Sequence, residues 1–152
     1  MRSAPAPLLV LLLAGCGAEE EARAPAGNAA KAAPAGPAYA PTPTEVADME
    51  AAAAALRLYY AHLGRKDYRA AWALRDRRAG LDYERFAASF ARYRDYHADV
   101  GTPSYPAESD GFVWIDAPVQ TWGTQADGER FGSVGRVLMK RRVGTRQWKL
   151  SP

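Results

Sequence analysis

The chain has 152 residues, 48% of them hydrophobic and 24% charged, which is material for one globular domain with a single core. Its 20 Lys and Arg against 17 Asp and Glu leave a net charge of +3, and the two signs are interleaved rather than gathered into a basic stripe, which argues against a nucleic-acid partner. A single cysteine closes no internal disulfide, so the fold rests on its core alone.

Residues 1–15 open on one cation, Arg2, pass through an apolar run that peaks at Leu8 to Leu13, and end on the small pair Ala14 and Gly15. Charge, then hydrocarbon, then small residues is the layout of a secretory signal. At about 10 residues the run is too short for a transmembrane helix, which takes about 20, so it targets rather than anchors. Leu13, Ala14, Gly15 and Cys16 resemble the lipobox of bacterial lipoproteins at all positions, although the charged start is short and Pro5 and Pro7 interrupt the early run. The resemblance implies that the Cys16 thiol carries diacylglycerol, that the chain is cut before it, and that the new amino group is acylated, by a chain such as palmitate. One buried chain holds only marginally at about 0.8 kcal/mol per methylene, whereas several make a lasting tether. With Gly17 rather than Asp after the cysteine, the same resemblance implies a place in the cell envelope at the outer membrane, facing the periplasm.

Residues 16–43 read as the lipidated cysteine followed by a disordered linker. Of the 27 residues from 17 to 43, 11 are Ala, 5 Pro and 3 Gly, too little apolar surface to offset the entropy of ordering. A linker of this length has a mean reach of about 30 Å.

The folded domain is expected over 44–152, which holds 15 of the 16 aromatic residues. Thr44 is placed as N-cap of a first helix whose apolar stripe runs Val46, Met49, Ala53, Leu56, Tyr60 and Leu63, closed by Gly64. Asp67 caps a second helix that turns Tyr68, Ala71 and Trp72 inward, and Asp82 a third with Phe86 and Phe90 four residues apart. Past residue 94 the period changes to two. The segments 95–100, 111–122, 130–143 and 146–150 read as strands, with a hairpin turn at Asp127 and Gly128 and another near Gly144.

Three helices followed by about four antiparallel strands make an α+β domain, helices on one face of a curved sheet. Pro118 and the strand glycines suit the bends that curvature needs. The segments "LYYAHLGRKDYRAAWAL", "DYERFAASF" and "RQWKL" resemble the nuclear transport factor 2-like superfamily, whose cone is shared with ketosteroid isomerase. The resemblance spans residues 45–151 and implies that cone; such domains serve mostly as binding or accessory modules. It also implies a possible homodimer through the sheet.

Candidate pocket residues by type are Tyr60, Trp72, Tyr93, Tyr96, Trp114 and Asp116, with Tyr59 a further phenol. Isomerase-like chemistry needs a carboxylate base plus a phenol or protonated acid for the developing oxyanion. Asp116 or Asp95 would supply the base, and burial would raise the pKa of Asp116 toward use. Asp95, His97 and Asp99 alternate, and their simplest placement is the solvent face of a strand whose Tyr96, Ala98 and Val100 pack inward. His62 reads as a surface cation near a helix end. Arg136, Lys140, Arg141, Arg142 and Arg146 read as a solvated basic sheet face. No Ser elbow, CxxC, HExxH or GxGxxG occurs, and no catalytic residue, metal or cofactor is expected. The reading is therefore a lipid-anchored envelope protein whose non-catalytic domain binds an envelope protein, a peptide or a small apolar ligand. Its alternative is a small cofactor-free isomerase, dehydratase or hydrolase with a pocket carboxylate.

Overall fold

The computed structural model describes residues 39–76 and 82–151, within a compact unit Tyr39–Pro152. Cys16, the expected signal and most of the expected linker lie outside the described residues.

Helix α1 spans Pro43–Gly64, and its N-cap is Thr42, two residues before the expected Thr44. The reason is a capping box. The Thr42 hydroxyl accepts the Glu45 N–H at 3.3 Å, the Glu45 carboxylate accepts the Thr42 N–H at 2.7 Å, and Pro43 takes the first helical position, where a missing N–H costs nothing. Tyr39 joins this end: its hydroxyl donates to Glu45 and its ring meets Tyr105 edge-on at 4.7 Å. Ordered structure thus reaches back into residues read as linker. The buried stripe is Ala52, Ala53, Leu56, Tyr59 and Leu63, so Val46 is left exposed and Met49 and Tyr60 lie at the margins.

Gly64 ends α1 for a tertiary reason. A Cβ there would stand 2.9 Å from the carbonyl oxygen of Tyr96, so only glycine lets the helix end approach the sheet this closely, while the left-handed residue of the turn is Lys66 at φ 60°. Helix α2, Tyr68–Ala73, is capped by Asp67 accepting the Ala70 N–H at 3.1 Å. Helix α3, Tyr83–Ala91, is capped by Asp82 accepting the Arg85 N–H at 2.7 Å.

The strands are β1 (Tyr93–Val100), β2 (Ala107–Ser109), β3 (Phe112–Gln125), β4 (Arg130–Arg142) and β5 (Lys149–Leu150). They form an antiparallel sheet ordered β1-β3-β4-β5, with β2 also on β3. The short β2 carried no periodic signal. Only Lys149 and Leu150 of the expected final strand pair with β4, and the exit of α2 holds them: the Leu150 N–H donates to Leu74 at 2.9 Å and the Asp76 N–H to Leu150 at 2.8 Å. The expected turns carry Gly128 at φ 93° and Gly144 at φ 79°.

Alternation along β3 separates two faces. Val113, Ile115, Ala117 and Val119 are buried toward the helices with Leu56, Phe86 and Met139, while Trp114, Asp116 and Pro118 point the other way. On β1, Tyr96, Ala98 and Val100 turn to the core and His97 and Asp99 to solvent, as the sequence reading expects. A bulge falls between Tyr93 and Asp95, opposite Gln125 and Thr124. Beside it, a Cβ on Gly123 would lie 2.3 Å from the main-chain oxygen of Asp95. Because backbone rather than a flexible side chain blocks it, Gly123→Ala should cost about 2–3 kcal/mol, read from the urea midpoint.

Candidate functional site

The concave side of the sheet is occupied by aromatic rings drawn from every helix and two strands. Phe86 of α3 lies at the centre, 5.1 Å from Trp72 and 5.2 Å from Phe90 by ring centroid. Phe90 touches Tyr96 edge-on at 5.5 Å, Tyr60 of α1 stacks parallel on Tyr96 at 6.3 Å, and Tyr93 meets Phe131 of β4 at 4.5 Å. These separations are those of packed rings, and the space left between Phe90, Tyr93 and Tyr96 and the rim residues Lys66, Arg94 and Asp95 is about 10 Å³, room for one water. Of the six pocket candidates, Tyr60, Trp72, Tyr93 and Tyr96 are brought together here.

Trp114 and Asp116 are not among them. Both sit on the opposite face because they share the parity of β3 that points away from the helices. There Asp116 accepts from Arg136 Nε at 2.5 Å, so it is a surface ion pair rather than a base in the mouth of a cone. Asp95 borders the small space at the edge of the ring cluster and also an open groove of about 470 Å³ with His97 and Trp122. Its carboxylate is 3.6 Å from both His97 Nε2 and Arg94 Nε, and His97 stacks on Trp122 at 5.8 Å. Among the described residues no charged or polar side chain is buried, and no group of three His, Cys, Asp or Glu could hold a metal ion. His62 sits 3.4 Å from Asp67 at the end of α1.

What polarity the interior has comes from phenols. Burial is the largest influence on Tyr59, Tyr60 and Tyr96 and pushes all three hydroxyls above the ordinary tyrosine value; for Tyr60 the neighbouring phenols of Tyr96 and Tyr59 push the same way. Arg75 opposes the shift at Tyr59, donating to its hydroxyl at 3.5 Å, and a hydrogen bond with Thr121 opposes it at Tyr96. The phenols are therefore neutral donors at pH 7. Because their folded-state pKa is raised, their contribution to stability is complete below pH 10 and is lost as the pH climbs above it, where unfolded tyrosine ionises. Part of the tyrosinate absorbance at 295 nm should consequently appear only together with alkaline unfolding.

Sequence reasoning missed Arg75 and two ion pairs. Arg141 grips Asp48 of α1, donating from Nε at 2.9 Å and from Nη2 at 2.7 Å, and Lys140 pairs with Asp76. Arg141 therefore leaves the expected basic face: its odd position on β4 turns it toward α1. Arg142 and Lys149 flank an open bowl of about 330 Å³ with Phe112 and Gln147, while Arg146, exposed between β4 and β5, lines a neighbouring groove with Trp148. Lys149 there donates to the Ala73 carbonyl at 2.6 Å, and Lys140 and Arg142 stand 5.4 Å from the Phe112 ring centre. Spacing along the chain held no signal for contacts between residues 93 positions apart.

No family model matches the sequence, and no curated protein matches it. Solved structures do match. A protein named as an aromatic ring hydroxylase from Novosphingobium aromaticivorans is 16% identical over 74% of this chain and 87% of its own, with a TM-score of 0.57. A protein from Streptomyces avermitilis, named as a dehydratase of the NTF2-like family, is 14% identical over 70% of this chain and 96% of its own, TM-score 0.52. The association domain of C. elegans CaMKII is 14% identical over 72% and 95%, TM-score 0.51. The fold is therefore nuclear transport factor 2-like, a curled antiparallel sheet with three helices.

Proposed function

We propose that this chain is an envelope protein tethered by lipid on Cys16, whose domain is a non-catalytic binding or assembly module that pairs with a second copy through its sheet. The observation that carries the non-catalytic part is that aromatic rings fill the interior of the domain. Asp99 and Asp116 project from the face away from the helices, Asp95 reaches only the rim of a space of about 10 Å³, and the interior where a substrate would sit is filled with rings. A general base must come within hydrogen-bond reach of the proton it removes. The association domain among the structural neighbours, by its name, assembles, which supports the pairing.

The anchor rests on the lipobox resemblance of Leu13 to Cys16, with residues 1–15 as signal and 16–38 as lipidated linker up to the domain that begins at Tyr39. No helix among the described residues is long and apolar enough to cross a membrane. Expressed in a diderm bacterium, Cys16→Ala should move the chain from the membrane pellet to the supernatant. Full sedimentation of that variant with membranes would rule out the lipid tether.

A second reading has its own support. Two neighbours are named as a dehydratase and a hydroxylase, and the neutral phenols beside Arg75 are the right donors for an oxyanion. It would displace the first if the wild-type chain dehydrated or isomerised a small carbonyl compound and Tyr96→Phe abolished that turnover with the fold intact.

A further inference from the structure

The middle of β4 is exposed in a way that the monomer does not explain. Gly132 to Arg136 are five successive exposed residues, and Val134 keeps 80% of its surface in water. On one side β4 pairs with β3 along its whole length, with Gly132 opposite Trp122 and Arg136 opposite Pro118. On the other, β5 covers only Met139 and Lys140, and the Ser151 N–H reaches the Leu138 carbonyl at 2.8 Å. Among the described residues, no strand pairs with that second side from Arg130 to Val137.

The hydrogen bonds also say which groups face the gap. Gly101 donates to the Pro118 carbonyl at 2.9 Å, so the main-chain groups of Pro118 point to β1. Its partner across the ladder, Arg136, then turns its own N–H and C=O away from β3. The bond from Ser151 to Leu138 gives the same phase two residues later. By strand alternation, Gly132, Val134 and Arg136 present their N–H and C=O groups along the open edge. Natural sheets blunt such an edge with charge, proline, a bulge or brevity. Gly132, Ser133, Val134 and Gly135 offer none of these; charge enters only at the flanks, Arg130 and Arg136, and Arg136 is paired with Asp116.

We infer that this edge pairs antiparallel with the same edge of a second copy, about a two-fold axis at Val134, joining two sheets into one. The inference rests on the pairing through the sheet proposed above and names its surface. The sequence is self-complementary about that point. Val134 meets its own mate, Gly132 lies opposite Arg136, and Ser133 lies opposite Gly135, so no like charges are opposed. Phe131 meets Val137, both half-buried and on the concave side, which lets their apolar surfaces close over the joint. At Gly135 nothing lies within 4 Å of an added Cβ, so the concave side has room for the partner's Ser133.

The test uses the full chain carrying Cys16→Ala, which removes the lipid and the only cysteine. Sedimentation equilibrium should report a dimer, and Val134→Pro a monomer with unchanged circular dichroism, because the lost N–H faces the open edge and not β3. Val134→Cys should form a disulfide-linked dimer on mild oxidation, since facing Cα atoms in such a pair stand about 5.5 Å apart. Leu138→Cys, far from its own mate in this register, should not. A dimer that survives Val134→Pro, or cross-links at Leu138 and not at Val134, overturns the edge while leaving pairing through the sheet face in place. A chain that is monomeric at all concentrations overturns both. Should Val134→Pro not fold, absence of the Val134→Cys cross-link decides against the edge.

Discussion

Phe86→Ala should cost about 3–5 kcal/mol, the largest loss expected of a single truncation in this domain. Phe86 is 1% exposed and links α3 to both other helices, with its ring 6.4 Å from Tyr59, 5.1 Å from Trp72 and 5.2 Å from Phe90. Arg75 also lies over it at 5.4 Å. Removing the ring loses its transfer energy and leaves a hole that rigid neighbours fill poorly. Since domains of this size carry about 5–15 kcal/mol in all, the variant should sit near its stability limit at 37 °C. Urea denaturation followed by tryptophan fluorescence checks it. A loss under about 1 kcal/mol would mean that the interior is loosely packed and has room for a ligand after all.

Asp48→Ala is the second large effect, at about 2–4 kcal/mol. The two side chains are only 17% and 14% exposed, and removing the carboxylate strands the Arg141 guanidinium between α1 and β4. Replacing both partners with apolar residues should recover much of the loss, because the penalty belongs to the unpaired charge. Asp116→Ala is the contrast. Its pair with Arg136 is 37% and 59% exposed, and its removal should change stability by under about 1 kcal/mol. Chemical denaturation of the three variants side by side separates the half-buried clamp from the surface pair. Equal losses would show that exposure does not rank these pairs.

The local grammar of the chain was legible without coordinates. Asp67 and Asp82 cap the helices expected of them, Asp127 and Gly128 turn the hairpin, and the change of period past residue 94 marks the passage from helix to sheet. These features depend on neighbours within a few residues, so composition and spacing suffice to reveal them. The N-cap at Thr42 was equally local. Its Thr-Pro-Thr-Glu box was written in the sequence and was overshadowed by the linker-like composition around it.

What lay beyond the sequence is what joins distant segments. Alternation says that Asp116 and Ile115 face opposite ways, but only the packing of the helices decides which face is the interior, and it placed Asp116 and Trp114 outside. The same holds for Arg141, which composition assigned to a basic face and α1 drew inward to Asp48. Gly64 at the end of α1 and Gly123 in β3 are glycines because a carbonyl of β1 stands where a Cβ would go, a constraint no local pattern carries. Short-range hydrogen bonding makes helices and turns readable from the chain, whereas the identity of an interior and of an open sheet edge is settled by which elements cover one another.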